Sequence, residues 1–183
     1  IHGALKAYAR YFDDPAWKDA FRSEMRHVVD LIHGSLELPS RPGHASGRYD
    51  ADVSRWTAAY IIGREWEPFA VKAYDSLHPG DARYAGRYLA SDAAPAMDAW
   101  MAEQCDYLLA YEADRWNALR PIAYTNWPTL DPLHHPTESS TAEERAWRRR
   151  AGRPLVGQKL EYENDAIGLD ANLVRPTASN PAG

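Results

Sequence analysis

The sequence has a single cysteine, Cys105, among its 183 residues, so it forms no internal disulfide framework. It also has no run of roughly 18 apolar residues, the length that a membrane-spanning helix needs, and we expect no membrane span in it. Acidic residues outnumber basic ones, and the formal net charge of −5 provides no basic surface for nucleic acid. The compartment stays open, because a secreted enzyme of this size can also lack disulfides.

Several motifs of enzyme chemistry are missing as well. The sequence has no glycine-rich phosphate loop, no serine elbow and no paired cysteines at metal-ligand spacing. His134 and His135 are adjacent but lack a third spaced ligand, so they are only a weak signal for a metal site. Cys105 lies at an apolar helical position, which favours a small buried hydrophobe over a reactive thiol.

Short apolar runs alternate along the chain with amphipathic helices. Helical spacing of apolar residues predicts helices near 15–32 and 94–118. Residues 57–63, 121–125 and 166–170 have the pattern of strands that are buried on both faces. This alternation predicts an α/β fold in which three adjacent parallel strands carry the helices on their outside.

Each predicted strand is followed by side chains that can do chemistry. In chain order these are Arg64, Glu65, Trp66, Asn126, Trp127 and Asp170. Because ligands bind at the carboxyl ends of parallel strands, we expect these side chains to lie together around one opening at that end of the sheet. A carboxylate that is partly buried there suits proton donation, and a tryptophan gives a flat apolar face for a sugar ring.

The residues alone leave structural roles open for the same positions. Glu65 can pair with Arg64 or another arginine instead of acting on a substrate. Trp66 and Trp127 are about as easily explained as core residues, and Asp170 as the cap of the next turn.

Residues 61–68, Ile-Ile-Gly-Arg-Glu-Trp-Glu-Pro, resemble the end of the fourth strand in the superfamily of retaining glycosidases with (β/α)₈ barrels, which includes β-galactosidases and cellulases. In that superfamily the strand typically ends Gly-Asn-Glu, and the glutamate is the general acid/base. Residues 121–128 resemble the fifth strand and residues 166–170 the sixth. The resemblance implies that residues 1–183 are one segment of a parallel-stranded TIM barrel, about strands four to six, incomplete at both ends.

The same resemblance implies a function. The protein would be a glycoside hydrolase or transglycosylase that uses two carboxylates in a retaining mechanism, with Glu65 as the general acid/base. Its nucleophile would follow a seventh strand outside this chain, and its partners would be a carbohydrate or glycan and the remainder of the barrel. The resemblance implies no metal and no organic cofactor. Arg64 stands where the superfamily has an asparagine that binds the sugar, which favours an alternative. That alternative is a noncatalytic glycan-binding barrel domain of a larger envelope-glycan protein; a structural α/β domain without a sugar site is the third possibility.

Overall fold

The structure is a computed structural model that describes residue 7 and residues 9–127, 132–133, 140–153 and 168–180. The helices within these ranges are α1 (Pro15–Ile32), α2 (Pro68–Leu77), α3 (Ala96–Trp116) and α4 (Thr141–Arg150). The strands are β1 (Leu36–Leu38), β2 (Gly47–Tyr49), β3 (Tyr60–Trp66), β4 (Ala82–Ala85), β5 (Leu89–Ala94), β6 (Ile122–Asn126) and β7 (Arg175–Pro176). Short 3₁₀ turns occupy Arg10–Asp13, Ser54–Trp56 and Ala171–Leu173.

Helix α1 has the bounds that the sequence predicts. Asp14 is its N-cap, and its Oδ1 accepts hydrogen bonds from the backbone N–H groups of Ala16 at 2.8 Å and Trp17 at 3.3 Å. Pro15 occupies the first helical position, where a backbone N–H would have no acceptor within the helix, so proline costs no hydrogen bond there. The buried side of α1, with Met25, Val29 and Ile32, contacts helix α3.

Helix α3 is the centre of the core. The sequence predicts a helix near 94–118, and the structure confirms one that is shorter by two residues at each end. The residues that it buries against α1, α2 and the sheets include Met97, Met101, Cys105, Leu108 and Leu109. Burial raises the pKa of the Cys105 thiol to about 12, so Cys105 is an inert core residue, as the sequence predicts.

The predicted parallel (β/α)₈ barrel, in whole or in part, is wrong. In the described ranges only β3 and β6 pair in parallel, whereas β1–β2 and β4–β5–β7 are antiparallel, and no barrel forms. Residues 168–170 form no strand, and residues 166–167 lie outside the described ranges. The hairpin β4–β5 was missed because it is rich in alanine, which carries little strand signal.

The parallel pair is buried on one face only, which corrects the prediction of strands buried on both. Tyr60 and Ile62 face the core, whereas Ile61 between them is 68% exposed. The remainder of a barrel was predicted as a partner because of the barrel fold, and that fold is contradicted by the sheet topology. No helix in the described part of the chain is both long and apolar enough to cross a membrane.

A buried carboxylate joins the elements at the amino-terminal end of this pair. One oxygen of Glu112 in α3 accepts hydrogen bonds from the hydroxyl of Tyr60 at 2.8 Å and from Arg120. The Nε2 atom of His33 lies 3.0 Å from the same oxygen. Because Glu112 is fully buried, these contacts tie the end of α1 and the starts of β3 and β6 to α3.

Candidate functional site

A bulge interrupts β3 near its carboxyl end. Ile62 is opposite Tyr124 and Trp66 is opposite Asn126, so residues 63–65 of β3 face a single residue of β6. Bulges re-aim side chains and occur often next to active sites. Here Gly63, Arg64 and Glu65 lie outside the regular β3–β6 pairing.

Gly63 allows the chain to turn at this bulge. Its φ of +73° is in the left-handed region, which side chains with a Cβ rarely adopt. A Cβ at this position would also lie 2.6 Å from Nε1 of Trp66, because the indole folds back over the glycine. The indole N–H donates a hydrogen bond to the carbonyl oxygen of Ile62 at 3.1 Å, which fixes the ring.

A cavity of about 240 Å³ lies beside the bulge, between β3 and the first turns of α1 and α2. Its lining residues are Phe12, Trp17, Phe21, Gly63, Glu65, Trp66, Glu67, Ala70 and Val71. We call it the aromatic cavity. The rings of Trp17 and Phe21 are stacked with centroids 5.4 Å apart, and Phe12 meets Trp17 edge-on at 5.3 Å. Phe12 is buried, whereas Trp17, Phe21 and Trp66 keep part of their surface exposed.

Two carboxylates belong to the wall of this cavity. Glu67 is the N-cap of α2, and its Oε2 accepts a hydrogen bond from the backbone N–H of Ala70 at 2.6 Å. Glu65 is exposed and forms no hydrogen bond or ion pair with any described residue, Arg64 included. The expectation that Glu65 is partly buried is therefore wrong, and so is the structural alternative in which it pairs with Arg64.

The other predicted site residues do not line the aromatic cavity, although Asn126 is opposite Trp66 at the same end of the β3–β6 pair and contacts Leu169, the neighbour of Asp170. Asn126 donates from Nδ2 to the carbonyl oxygen of Leu169 at 2.8 Å, and its Oδ1 accepts from the N–H of Leu169 at 2.9 Å. Its amide thus pairs with the backbone as a neighbouring strand would, and both polar atoms are occupied. Neither Asn126 nor the half-buried Trp127 lines the aromatic cavity, and Arg64 is exposed outside it.

No protein-family model, curated protein or solved structure matches this chain.

Asp170 is a cap. Its carboxylate accepts hydrogen bonds from the backbone N–H of Asn172 at 2.9 Å and from the Nδ2 of that residue at 2.8 Å. Its own backbone N–H donates to Oδ1 of Asp98 at 2.7 Å. Of the two roles that the sequence leaves open for Asp170, the structure shows the cap.

Asp98, in the first turn of α3, is an acid that the sequence analysis missed. Its side chain is 1% exposed, and burial, reinforced by the nearby carboxyls of Asp75 and Asp170, raises its pKa to about 7. A carboxyl that titrates near neutrality is uncommon. Only its place on the apolar side of α3 hinted at burial.

The described residues contain no group of three or more histidine, cysteine, aspartate or glutamate side chains placed to hold a metal ion. His134 and His135 lie outside the described ranges. Sequence reasoning also missed Phe12, Trp17 and Phe21 as site residues, because aromatic residues at helical spacing are usually core. The signal that could have found them is the density of rings near the amino end of α1.

Proposed function

We propose that this chain binds a carbohydrate in the aromatic cavity. The observation that carries the proposal is the meeting of three partly exposed rings, Trp17, Phe21 and Trp66, with the carboxylate of Glu65, which pairs with no residue that the structure describes. A sugar ring offers an apolar C–H face that packs on an aromatic ring, and hydroxyl groups that donate to a carboxylate. Small-molecule sites combine mostly apolar walls with a few polar groups in this way.

The size of the cavity supports a small occupant. At about 240 Å³ it falls below the roughly 300–1,000 Å³ of pockets for drug-sized ligands. We therefore propose that one sugar ring enters it and that any further rings of a glycan lie on the surface outside.

Glycoside hydrolysis or transfer is the second candidate function, with Glu65 as the general acid/base. It is favoured by the position of Glu65 in the cavity wall, at the carboxyl end of a parallel strand. A retaining mechanism needs a second carboxyl about 5–5.5 Å away. Glu67 also lines the cavity, but its carboxylate caps α2, and Glu65 lacks the burial that favours a proton donor. Binding without cleavage is therefore the first proposal.

Binding is tested by titrating the protein with short β-1,4-linked and β-1,3-linked oligosaccharides and following protein NMR shifts or heat. We expect saturable binding that Trp17→Ala weakens about tenfold or more, since loss of a stacking ring costs roughly 1.4 kcal/mol or more. Trp56→Ala is the matched control, because Trp56 is 67% exposed and does not line the cavity.

Two outcomes would contradict these proposals. If no oligosaccharide binds, or if Trp17→Ala binds as tightly as the wild type while both remain folded, carbohydrate binding at this cavity is refuted. If an oligosaccharide is cleaved, Glu65→Gln separates the two functions: it should slow cleavage by about 10²–10⁴-fold if Glu65 is the acid. Cleavage within a few-fold of wild type would exclude Glu65 from that role.

A further inference from the structure

We propose that the sugar bound in the aromatic cavity carries a free amino group, so that the preferred ligand is a protonated hexosamine unit rather than a neutral hexose or an N-acetylated one. This inference rests on the proposed carbohydrate binding. Its starting observation is the charge of the cavity wall. Among the lining residues that the structure describes, the charged ones are Glu65 and Glu67, and there is no lysine or arginine.

The basic residues of α1 nearest to the wall are already engaged on another side of the helix. Lys18 pairs with Glu103 of α3 at 3.4 Å. Arg22 pairs with the same glutamate at 2.7 Å and donates from Nε to Gln104 at 3.0 Å. These cations therefore compensate the charge of α3 rather than the charge of Glu65, and both charged side chains in the described lining of the cavity are acidic.

The aromatic walls, like the carboxylates, attract a positively charged ligand. The face of an aromatic ring is electron-rich and attracts a cation within about 6 Å of its centroid. Three partly exposed rings, Trp17, Phe21 and Trp66, line this cavity. An ammonium group on the sugar would be attracted both by the rings and by the charge of Glu65. A neutral hydroxyl or acetamide forms neither a cation–π contact nor an ion pair.

The size of the preference follows from exposure. Glu65 is exposed, and exposed ion pairs contribute weakly; together with one cation–π contact the gain corresponds to roughly 3- to 10-fold in Kd at low salt. A preference of electrostatic origin is screened by salt, because the Debye length falls to about 8 Å at physiological ionic strength. The same reasoning predicts that uronic acids bind worse than neutral sugars.

The test uses three tetrasaccharides with the same β-1,4 linkage: the tetramers of glucosamine, of N-acetylglucosamine and of glucose. The whole chain is titrated calorimetrically at about pH 6, where most amino groups of the glucosamine tetramer are protonated. Each titration is done in about 20 mM and in about 300 mM salt. We expect the glucosamine tetramer to bind 3- to 10-fold more tightly than the glucose tetramer in low salt. The ratio should fall toward one in high salt.

Glu65→Gln supplies the decisive comparison, because glutamine keeps the shape and one acceptor oxygen but not the charge. It should reduce the ratio between the amine and neutral tetramers. Glu24→Gln is the matched control: Glu24 is an exposed acid of α1 outside the cavity, so this change alters the net charge equally and should leave the ratio intact. Equal unfolding midpoints for the three proteins would show that the fold is unaffected.

The outcomes distinguish the inference from the proposal beneath it. If none of the three tetramers binds, the proposed carbohydrate function itself fails for this class of glycan and the inference fails with it. If the glucose tetramer binds as tightly as the glucosamine tetramer in low salt, or if Glu65→Gln leaves their ratio unchanged, carbohydrate binding stands and the amine preference is refuted. A salt-sensitive preference that Glu65→Gln removes and Glu24→Gln keeps would support it.

Discussion

The buried carboxyl of Asp98 should make the stability of this protein fall as the pH rises toward neutrality. Its side chain is 1% exposed, and it accepts a hydrogen bond from the backbone N–H of Asp170 at 2.7 Å. Asp98→Asn is the matching perturbation, because the amide oxygen of asparagine can accept the same bond while the side chain carries no charge at any pH. The variant therefore removes the ionisation and keeps the geometry.

The sign and size of the effect follow from the raised pKa. The ordinary pKa of this carboxyl is 3.8, and in the fold burial raises it to about 7. The folded protein thus holds the proton more tightly than the unfolded chain does. The resulting stability is fully present below about pH 4, declines as the pH rises, and is lost above about pH 7. About three pKa units correspond to about 4 kcal/mol between these limits.

The assay is urea unfolding of the wild type and Asp98→Asn at a series of pH values from 4 to 8. We expect the free energy of unfolding of the variant, minus that of the wild type, to increase steadily as the pH rises, by a few kcal/mol across the series. Asp92→Asn is the control that should show no slope in this series. Arg175 and then Arg83 lower the pKa of the exposed Asp92 carboxyl from its ordinary 3.8, so its contribution changes only below about pH 4 and the difference from the wild type should stay constant from pH 4 to 8. A difference between Asp98→Asn and the wild type that stays constant from pH 4 to 8 would refute the reasoning.

Two further changes test the site and its support by thermal and urea unfolding. Asp106→Ala should lower the free energy of unfolding by about 3 kcal/mol or more, since this buried carboxylate accepts three backbone N–H groups of the β4–β5 turn. The exposed Asp114→Ala should cost under about 0.5 kcal/mol, and equal losses would contradict the prediction. Gly63→Ala should cost about 1–3 kcal/mol and weaken ligand binding, because its Cβ would displace the indole in the cavity wall. Gly43→Ala has a similar φ and open space around it, so an equal loss there would show that backbone strain alone is responsible.

The sequence predicted part of the candidate site. Glu65 and Trp66 line the aromatic cavity, and they were found because they follow an apolar run that forms a parallel strand. Asn126 and Asp170 also follow predicted strands, but backbone groups occupy their side chains: those of Leu169 for Asn126 and that of Asn172 for Asp170. Residue type allows a cap at Asp170, but it carries no information about a partner as far along the chain as Leu169 is from Asn126. A polar residue at the end of a strand therefore indicates where a site can lie, but not which neighbouring group forms hydrogen bonds with its side chain.

The sequence by itself determined the local elements whose signals are contained in a few neighbouring residues. Asp13 or Asp14 followed by Pro15 indicates the start of α1, and Asp14 is the cap in the structure. Helical spacing of apolar residues predicts α3 to within two residues at each end. The predicted parallel pairing of the runs near 57–63 and 121–125 is confirmed by β3 and β6, since their connection is long enough for a crossover.

Only the tertiary structure decided how these elements are arranged and which acids are buried. The antiparallel β4–β5 hairpin depends on Asp106, which is 17 to 19 residues from the amides that it accepts. The exposure of Ile61 and the burial of Asp98 likewise depend on which face another element covers. A pattern of 3.6 or 2 residues records the hydrophobic side of an element, but the partner on that side is chosen by contacts between residues far apart in the chain, which no local pattern contains.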